Sequence, residues 1–339
     1  VLPVHNGEPY LPATLDSLER QTYRHFELLA LENASSDNTL AILQKMQGFP
    51  IRIESSPHLL TIEENWARII CTPIATEFIV LLCADDLLQP NFLATINDLI
   101  KAHPDATLYH TLGLLINQKG VITRYTRPVP TQEQATDYLG QLHSFREDAF
   151  GSGYAMRYQD FCKVGGYPTF KRLLFADFYC YYALTALGYK VCASEYLVAF
   201  RQHPKGMTSR SSLNDFEEAA QQYRAALLTH ALPHPQVVLL EQFLETFLLV
   251  CYRSYLFALI KQPNPRDMEQ FEAFRDRFYT PNPAAKAYRY DFPLRWYIAL
   301  AQQSSRWWRQ VLYSILLLLI ILRKQYHQKV TGNSEYISE

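Results

Sequence analysis

The sequence predicts an α/β fold, a doubly wound sheet flanked by helices, followed by a C-terminal α-helical region. Three observations carry this. Apolar runs of strand length alternate with amphipathic runs of helix length through the first two-thirds of the chain. All but one of the twelve glycines lie at or before Gly206. Beyond it, long stretches such as VVLLEQFLETFLLVCYRSYLFALI are punctuated by PHP (233–235), PNP (263–265) and PNP (281–283), which read as helices with proline-marked turns.

The elements follow in order. VLPV is a strand, and Tyr10 to Gln21 carries Leu11, Leu15 and Leu18 at helical spacing. FELLAL (26–31) is the next strand; SSDNTLAILQKM starts a helix on its serines and Asp37, with Ile42 and Met46 on one face. PIRIES (50–55) is a short strand. Thr61 and Glu64 form a capping box ahead of NWARII. FIVLL is a strand, Pro90 opens the helix NFLATINDLIKAH, and ATLYHTLGLLIN is a further strand. Repeated β–α units of this length imply right-handed crossovers and a mostly parallel sheet. Ligands bind such sheets beyond the carboxyl ends of the strands. Here those ends are His5-Asn6-Gly7, Glu32-Asn33-Ala34-Ser35 and Ala84-Asp85-Asp86.

Composition narrows the class. The chain has 339 residues, 48% of them hydrophobic, and a formal net charge of -1. That gives ample length for a large core and no electrostatic case for nucleic acid. The six cysteines are scattered, with no CxxC, and read as buried free thiols in a reducing compartment. The opening VLPVHNG has no features of a signal peptide and starts inside a strand, so a few residues are expected upstream of Val1.

The stretch FIVLLCADDLLQP (78–90) ends a buried strand in two carboxylates. Consecutive strand residues point to opposite faces, so the backbone must turn for Asp85 and Asp86 to cooperate. Two close carboxylates repel unless a cation neutralises them. Hard oxygens select Mg²⁺ or Mn²⁺, whose open positions phosphate oxygens fill.

Four segments in order resemble the inverting family 2 glycosyltransferases of the GT-A fold, a doubly wound, Rossmann-like mixed sheet. They are LPVHNGEPYLPATLDSLERQTYRHFELLALENASSDNT, CADDLLQP, FCKVGGYPTF followed by FAD at Asp177, and FRQHPKGMT (200–208); together they cover roughly residues 1–210. The resemblance implies a nucleotide-diphospho-sugar donor and a Mn²⁺ or Mg²⁺ ion. It places the nucleoside on Pro3, Val4, Asn6, Glu32 and Asn33. Asp85 and Asp86 bind the donor ribose and the metal, with Asp86 ahead as the metal ligand. Asp177 is the general base on the acceptor hydroxyl, and His203 lies in a loop over the diphosphate. It divides the chain into a nucleotide-sugar half (1–117), an acceptor half (118–210) and a helical region (211–339). Three positions depart from the family pattern: Cys83 and Asn33 stand where acids are common, and Ala176 precedes Asp177 where Glu often does.

Each residue also has a plainer role. Asp177 can cap the helix of DFYCYYALTAL, Asn6 and Asn33 can fix turns, and Arg201 and His203 can be surface groups. Gly151 and Gly153 either let backbone approach the acceptor or meet a need for positive φ. The aromatics 178–182 at helical spacing read as core rather than as a sugar platform.

The segment RWWRQVLYSILLLLIILRK (306–324) has an apolar core of about a dozen residues, short of the ~20 needed to span. Its Trp and Arg flanks suit a membrane interface. The expected enzyme is cytoplasmic, peripheral on the inner face of the cell membrane, and acts on a glycan or lipid-linked acceptor in surface polysaccharide or glycolipid synthesis. Two rivals remain: transfer to a polyprenyl phosphate, which needs no base, and a homologue that binds nucleotide-sugar without turnover. A sugar nucleotidyltransferase would need a glycine-rich basic loop, which PVHNGEPYL lacks.

Overall fold

The structure, a computed structural model, describes residues 1–261. The proline-marked turns at 263–265 and 281–283 and the 306–324 segment lie outside the described residues. The chain divides into two compact units, Val1–Thr246 and Phe247–Glu339, and the site lies in the first.

The first unit opens with the expected β–α units: β1 (Leu2–Val4), α1 (Leu11–Glu19), β2 (Leu28–Glu32), α2 (Thr39–Gln44), β3 (Ile51–Ser55), α3 (Ile62–Cys71) and β4 (Phe78–Leu81). A short β5 (Leu87–Leu88) leads to α4 (Phe92–Ala102) and the long β6 (Leu108–Ile116). Then come β7 (Ile122–Tyr125), β8 (Gln132–Glu133), α5 (Ala135–His143), β9 (Tyr154–Arg157), α6 (Tyr158–Lys163), α7 (Ala176–Thr185) and β10 (Lys190–Arg201). Helices α8 (Leu213–Leu228) and α9 (His234–Lys261) follow. Among the described residues no helix is long and apolar enough to cross a membrane.

β1, β2 and β3 pair in parallel. Val1 N donates to Val80 O (2.7 Å) and Leu82 N to Val1 O (3.0 Å), so β4 joins β1 in the same direction. Beyond β4 the sheet is mixed. β9 inserts antiparallel between β4 and β6, β10 runs parallel to β6, and β5, β7 and β8 pair antiparallel at the margins. The mostly parallel expectation therefore holds to β4 and fails beyond it, where β5, β7, β8 and β9 run antiparallel to the strands they pair with. The consequence for the site is simple: β1, β2, β4, β6 and β10 all point their carboxyl ends to one edge.

Burial explains the rigidity of that edge. Leu11, Leu15 and Leu18 of α1 pack with Leu2, Val4, Leu28 and Ala30 in one core with Phe92, Ile96 and Tyr109; each such side chain is worth roughly 1.5–3 kcal/mol. The Thr61–Glu64 capping box forms as expected. Asp37 accepts from the backbone N (3.0 Å) and hydroxyl (2.5 Å) of Thr39, which starts α2. The aromatic run 178–182 goes largely inward, with Cys180, Tyr181 and Tyr182 buried.

Candidate functional site

The acidic turn after β4 is anchored by one face of α1. Thr14 Oγ donates to Ala84 O (3.0 Å), Ser17 Oγ accepts from Leu88 N (3.2 Å), and Gln21 Nε2 donates to Gln89 O (2.8 Å). Gln21 Oε1 also accepts from Leu93 N (3.0 Å), and Thr22 N donates to Pro90 O (2.9 Å). Thr14, Ser17 and Gln21 are all buried and lie at helical spacing. They escaped sequence reasoning, although a polar stripe at 14, 17 and 21 beside the apolar 11, 15 and 18 was a usable signal.

Within the turn, Asp86 is 7% exposed. Its Oδ2 accepts from Ser152 Oγ (2.5 Å) and its Oδ1 from Arg201 N (2.8 Å). Burial, and then the charge of Asp85, push the Asp86 carboxyl up to about 8. Asp85 is more open: its side chain is 30% exposed and its Oδ2 lies 2.8 Å from His203 Nε2. Arg201 locks the turn from β10, with Nε donating to Asp85 O (2.8 Å) and Nη1 to the carbonyls of Asn117 and Gln118. Arg201 is thus a rivet between three segments. Cys83 completes the cluster. Its thiol and the carboxylates of Asp85 and Asp86 each offer an atom within 4.8 Å of the others. Burial first, then Asp86 and Asp85, hold the thiol well above its usual range.

These residues fit a divalent cation. Burial and the neighbouring Asp85 push the Asp86 carboxyl toward its neutral form in spite of Arg201, a charge imbalance that a bound cation would relieve. The carboxylate oxygens of Asp85 and Asp86, clustered with Cys83 Sγ within 4.8 Å, are donors that Mn²⁺ accepts, and His203 Nε2, hydrogen-bonded to Asp85 Oδ2 at 2.8 Å, offers a nitrogen beside them. Each Asp86 oxygen accepts one hydrogen bond, from Ser152 Oγ and from Arg201 N, while Asp85 is the more open of the two and pairs with His203.

Ser152 was also missed. It is 1% exposed, and it accepts from Cys83 N (2.8 Å) while donating to Asp86. Its neighbours explain the FGSG pattern. Gly153 has φ +78, and a Cβ there would meet Val198 Cγ2 at 2.4 Å, so the chain must carry glycine. A Cβ on Gly151 would lie 3.2 Å from the Trp66 ring and 3.6 Å from Cys83 Sγ, which brings Trp66 to the margin of the cluster.

The ends of β1 and β2 meet as expected, but most of their side chains are turned on the protein. Pro3 and Val4 are buried in the β1 ladder, and Val4 O accepts from Asn33 N (2.9 Å). Asn6 sits at φ 51 with its Oδ1 accepting from Ser36 N (2.8 Å), a turn-fixing role. Glu32 Oε1 accepts from Ser35 N (2.6 Å). Asn33 pairs both ends of its amide with Leu60, Nδ2 donating to the carbonyl (3.0 Å) and Oδ1 accepting from the amide (2.9 Å). These five residues shape the floor of the edge.

Asp177 approaches from the other side. It lies in the first turn of α7, one residue beyond the helix start, and the N-cap position is held by Phe175 at φ 62. Its Oδ1 accepts from Phe178 N (3.0 Å). Burial pushes its carboxyl up to about 7 against backbone N–H groups that pull it down. Its charge is the smallest of the influences that raise the Cys83 thiol. Arg172, Leu173 and Phe175 just before it all have positive φ. Such conformations cost about 1–3 kcal/mol each and cluster at functional loops. Glu63 Oε1 accepts from Arg172 N (2.6 Å) and Gln222 Oε1 from Lys171 N (2.7 Å), which holds the loop from α3 and α8. No residue type in KRLLF announces this geometry.

With the geometry in place, comparison with known proteins is informative. Residues 1–151 match the family model for glycosyl transferase family 2. An uncharacterised glycosyltransferase of Haemophilus influenzae is 24% identical over 178 residues, 51% of this chain and 57% of that protein. The uncharacterised protein y4gI of Sinorhizobium fredii is 29% identical over 118 residues, 33% of this chain, which spans 12% of that protein. Among solved structures, residues 1–349 of S. aureus TarS superpose with a TM-score of 0.60 at 16% identity, covering 89% of this chain and 85% of that one. The mannosyltransferase PcManGT of Pyrobaculum calidifontis, in complex with GDP-Man and Mn²⁺, gives 0.53 at 14% identity, covering 93% and 84%. These likenesses establish the GT-A fold.

Proposed function

Residues 1–151 form a family 2 glycosyltransferase domain of the GT-A fold, and from that premise we propose that the protein is a metal-dependent inverting glycosyltransferase moving a sugar from a nucleotide-diphospho-sugar to a hydroxyl acceptor. The observation that carries this is the cluster of Cys83, Asp85 and Asp86 at the carboxyl end of β4, with His203 against Asp85. Solved relatives holding UDP-GlcNAc, or GDP-Man with Mn²⁺, support a donor of that class.

In this reading Asp85 and His203 hold the cation, and Asp86 is the buried brace that fixes the turn through Ser152 and Arg201. When bound, the cation supplies positive charge to the departing diphosphate. The ends of β1 and β2, including Pro3, Val4, Asn6, Glu32 and Asn33, form the nucleoside floor. Asp177 takes the proton of the acceptor hydroxyl as that oxygen bonds to the anomeric carbon. A carboxyl pushed up to about 7 is suited to the task, because about half of it is ionised at neutral pH and it is basic enough to accept the proton. No covalent intermediate is required, so one base suffices. A glycan or lipid-linked acceptor, with the 306–324 segment at the inner membrane face, is consistent with the Trp and Arg flanks of that segment.

The test is a thermal-shift screen of UDP, GDP, dTDP and CDP, each with and without Mn²⁺, on wild type and Asp85→Ala. Ligands that bind only the folded state raise the melting temperature. A Mn²⁺-dependent rise for one nucleotide, absent in the variant, is expected. No rise with any of them in folded protein would overturn the proposal.

A further inference from the structure

His203 is held in an unusual way for a group that would ligate a metal. A ligating imidazole ordinarily donates its second ring N–H to a carboxylate, carbonyl or water, which fixes its orientation. Here Nε2 faces Asp85, while Nδ1 is buried with no hydrogen-bond partner. What lies against the ring is Tyr10: the two ring centroids are 4.7 Å apart at an interplanar angle of 50°. The same tyrosine ring carries the Arg201 guanidinium, whose Cζ is 4.9 Å from its centroid.

Tyr10 itself is firmly placed. It sits immediately before α1, its backbone N donates to Gly7 O (3.0 Å), and α1 carries the Thr14 and Ser17 anchors of the acidic turn, with Gln21 just beyond its end. The ring therefore bridges the β1 side of the sheet edge and the segment leaving β10. We propose that Tyr10 is the positioning residue that orients His203 toward the cation, through the packing of its ring against the imidazole. This rests on the reading that Asp85 and His203 hold the metal. Phenylalanine at this position would keep the same ring contact.

The proposal predicts a specific pattern in Mn²⁺ affinity, read from the free-ion EPR signal on full-length protein saturated with whichever of UDP, GDP, dTDP or CDP stabilises wild type most. Outer partners of metal ligands are worth about 10–100-fold in affinity. Tyr10→Leu, which keeps an apolar side chain before α1, should weaken Mn²⁺ binding about tenfold. Tyr10→Phe should stay within about twofold of wild type. In a His203→Ala background Tyr10→Leu should add nothing, since a residue acting only through His203 is not additive with its loss. Melting temperatures of all variants without metal separate folding from positioning. Mn²⁺ binding that His203→Ala weakens but Tyr10→Leu does not would overturn this inference alone, as would full additivity in the double variant. Absence of Mn²⁺ binding by wild type would remove the metal reading and this inference with it.

Discussion

Replacing Ser152 with alanine should separate the brace from the metal ligand. Ser152 Oγ donates to Asp86 Oδ2 at 2.5 Å and accepts from Cys83 N at 2.8 Å, with the serine 1% exposed. A hydrogen bond to a charged group is worth about 1.5–3 kcal/mol, and the orphaned Cys83 N–H costs about 1–3 kcal/mol more. The bond favours the charged carboxylate, so its loss acts on titration as well as stability. Asp86 already titrates near 8 without metal. At about 1.36 kcal/mol per unit, losing the Ser152 bond should raise it by a further one to two units. Proton and cation compete for this turn, so the Mn²⁺-dependent nucleotide affinity should rise with pH in wild type. In Ser152→Ala the same rise should be displaced upward by one to two pH units, leaving affinity at pH 7 about tenfold or more lower. Calorimetric titration of Mn²⁺ and nucleotide between pH 6 and pH 9 measures this. A lower melting temperature with an unmoved pH dependence would refute the reasoning, because Ser152 would then support the fold without supporting the charge of Asp86.

Two further outcomes follow from buried charges elsewhere. Asp177→Asn should abolish most turnover while leaving nucleotide affinity intact, and the wild-type rate should climb with pH through about 7 as the base ionises. The same variant should gain stability above neutrality. Asp177 titrates near 7 folded against 3.8 ordinarily, so the native state loses stability as pH rises across that window, and the amide removes the penalty. Equal denaturation midpoints at pH 8 would contradict the burial of that carboxyl. Lys190 sits between Glu133 (2.6 Å) and Glu147, all three 1% exposed, under the face of Tyr138. Lys190→Met strands two buried carboxylates and should cost about 3–5 kcal/mol in urea denaturation; a loss below about 1 kcal/mol would mean the triad is solvated.

The parts of this molecule that were legible in the sequence are those written in local chemistry. Leu11, Leu15 and Leu18 declare α1 by spacing, Thr61 and Glu64 declare the start of α3, and FIVLL followed by two acids declares a strand end with a job. What stayed hidden depends on long-range partners. YAMR is too short to reveal that β9 inserts antiparallel between β4 and β6. Asn33 reads as a ligand amide until Leu60, distant in sequence, is found to occupy it. The bracing of Asp86 by Ser152 and Arg201 comes from partners 66 and 115 residues away. Lys190 carries no local mark of its burial, because its partners Glu133 and Glu147 are distant in sequence. The left-handed residues before Asp177 are Arg, Leu and Phe, which carry no signature for that conformation.

The most direct test of the central claim uses water as acceptor. Wild type and Asp177→Asn would each be incubated with Mn²⁺ and the nucleotide-sugar matching the stabilising nucleotide, and the anomer of the released sugar followed by proton NMR before mutarotation. The account predicts slow, metal-dependent release of the sugar with inverted anomeric configuration in wild type, and almost none in Asp177→Asn. Release with retained configuration, or release undiminished by the substitution, would contradict a single-displacement reaction with Asp177 as its base.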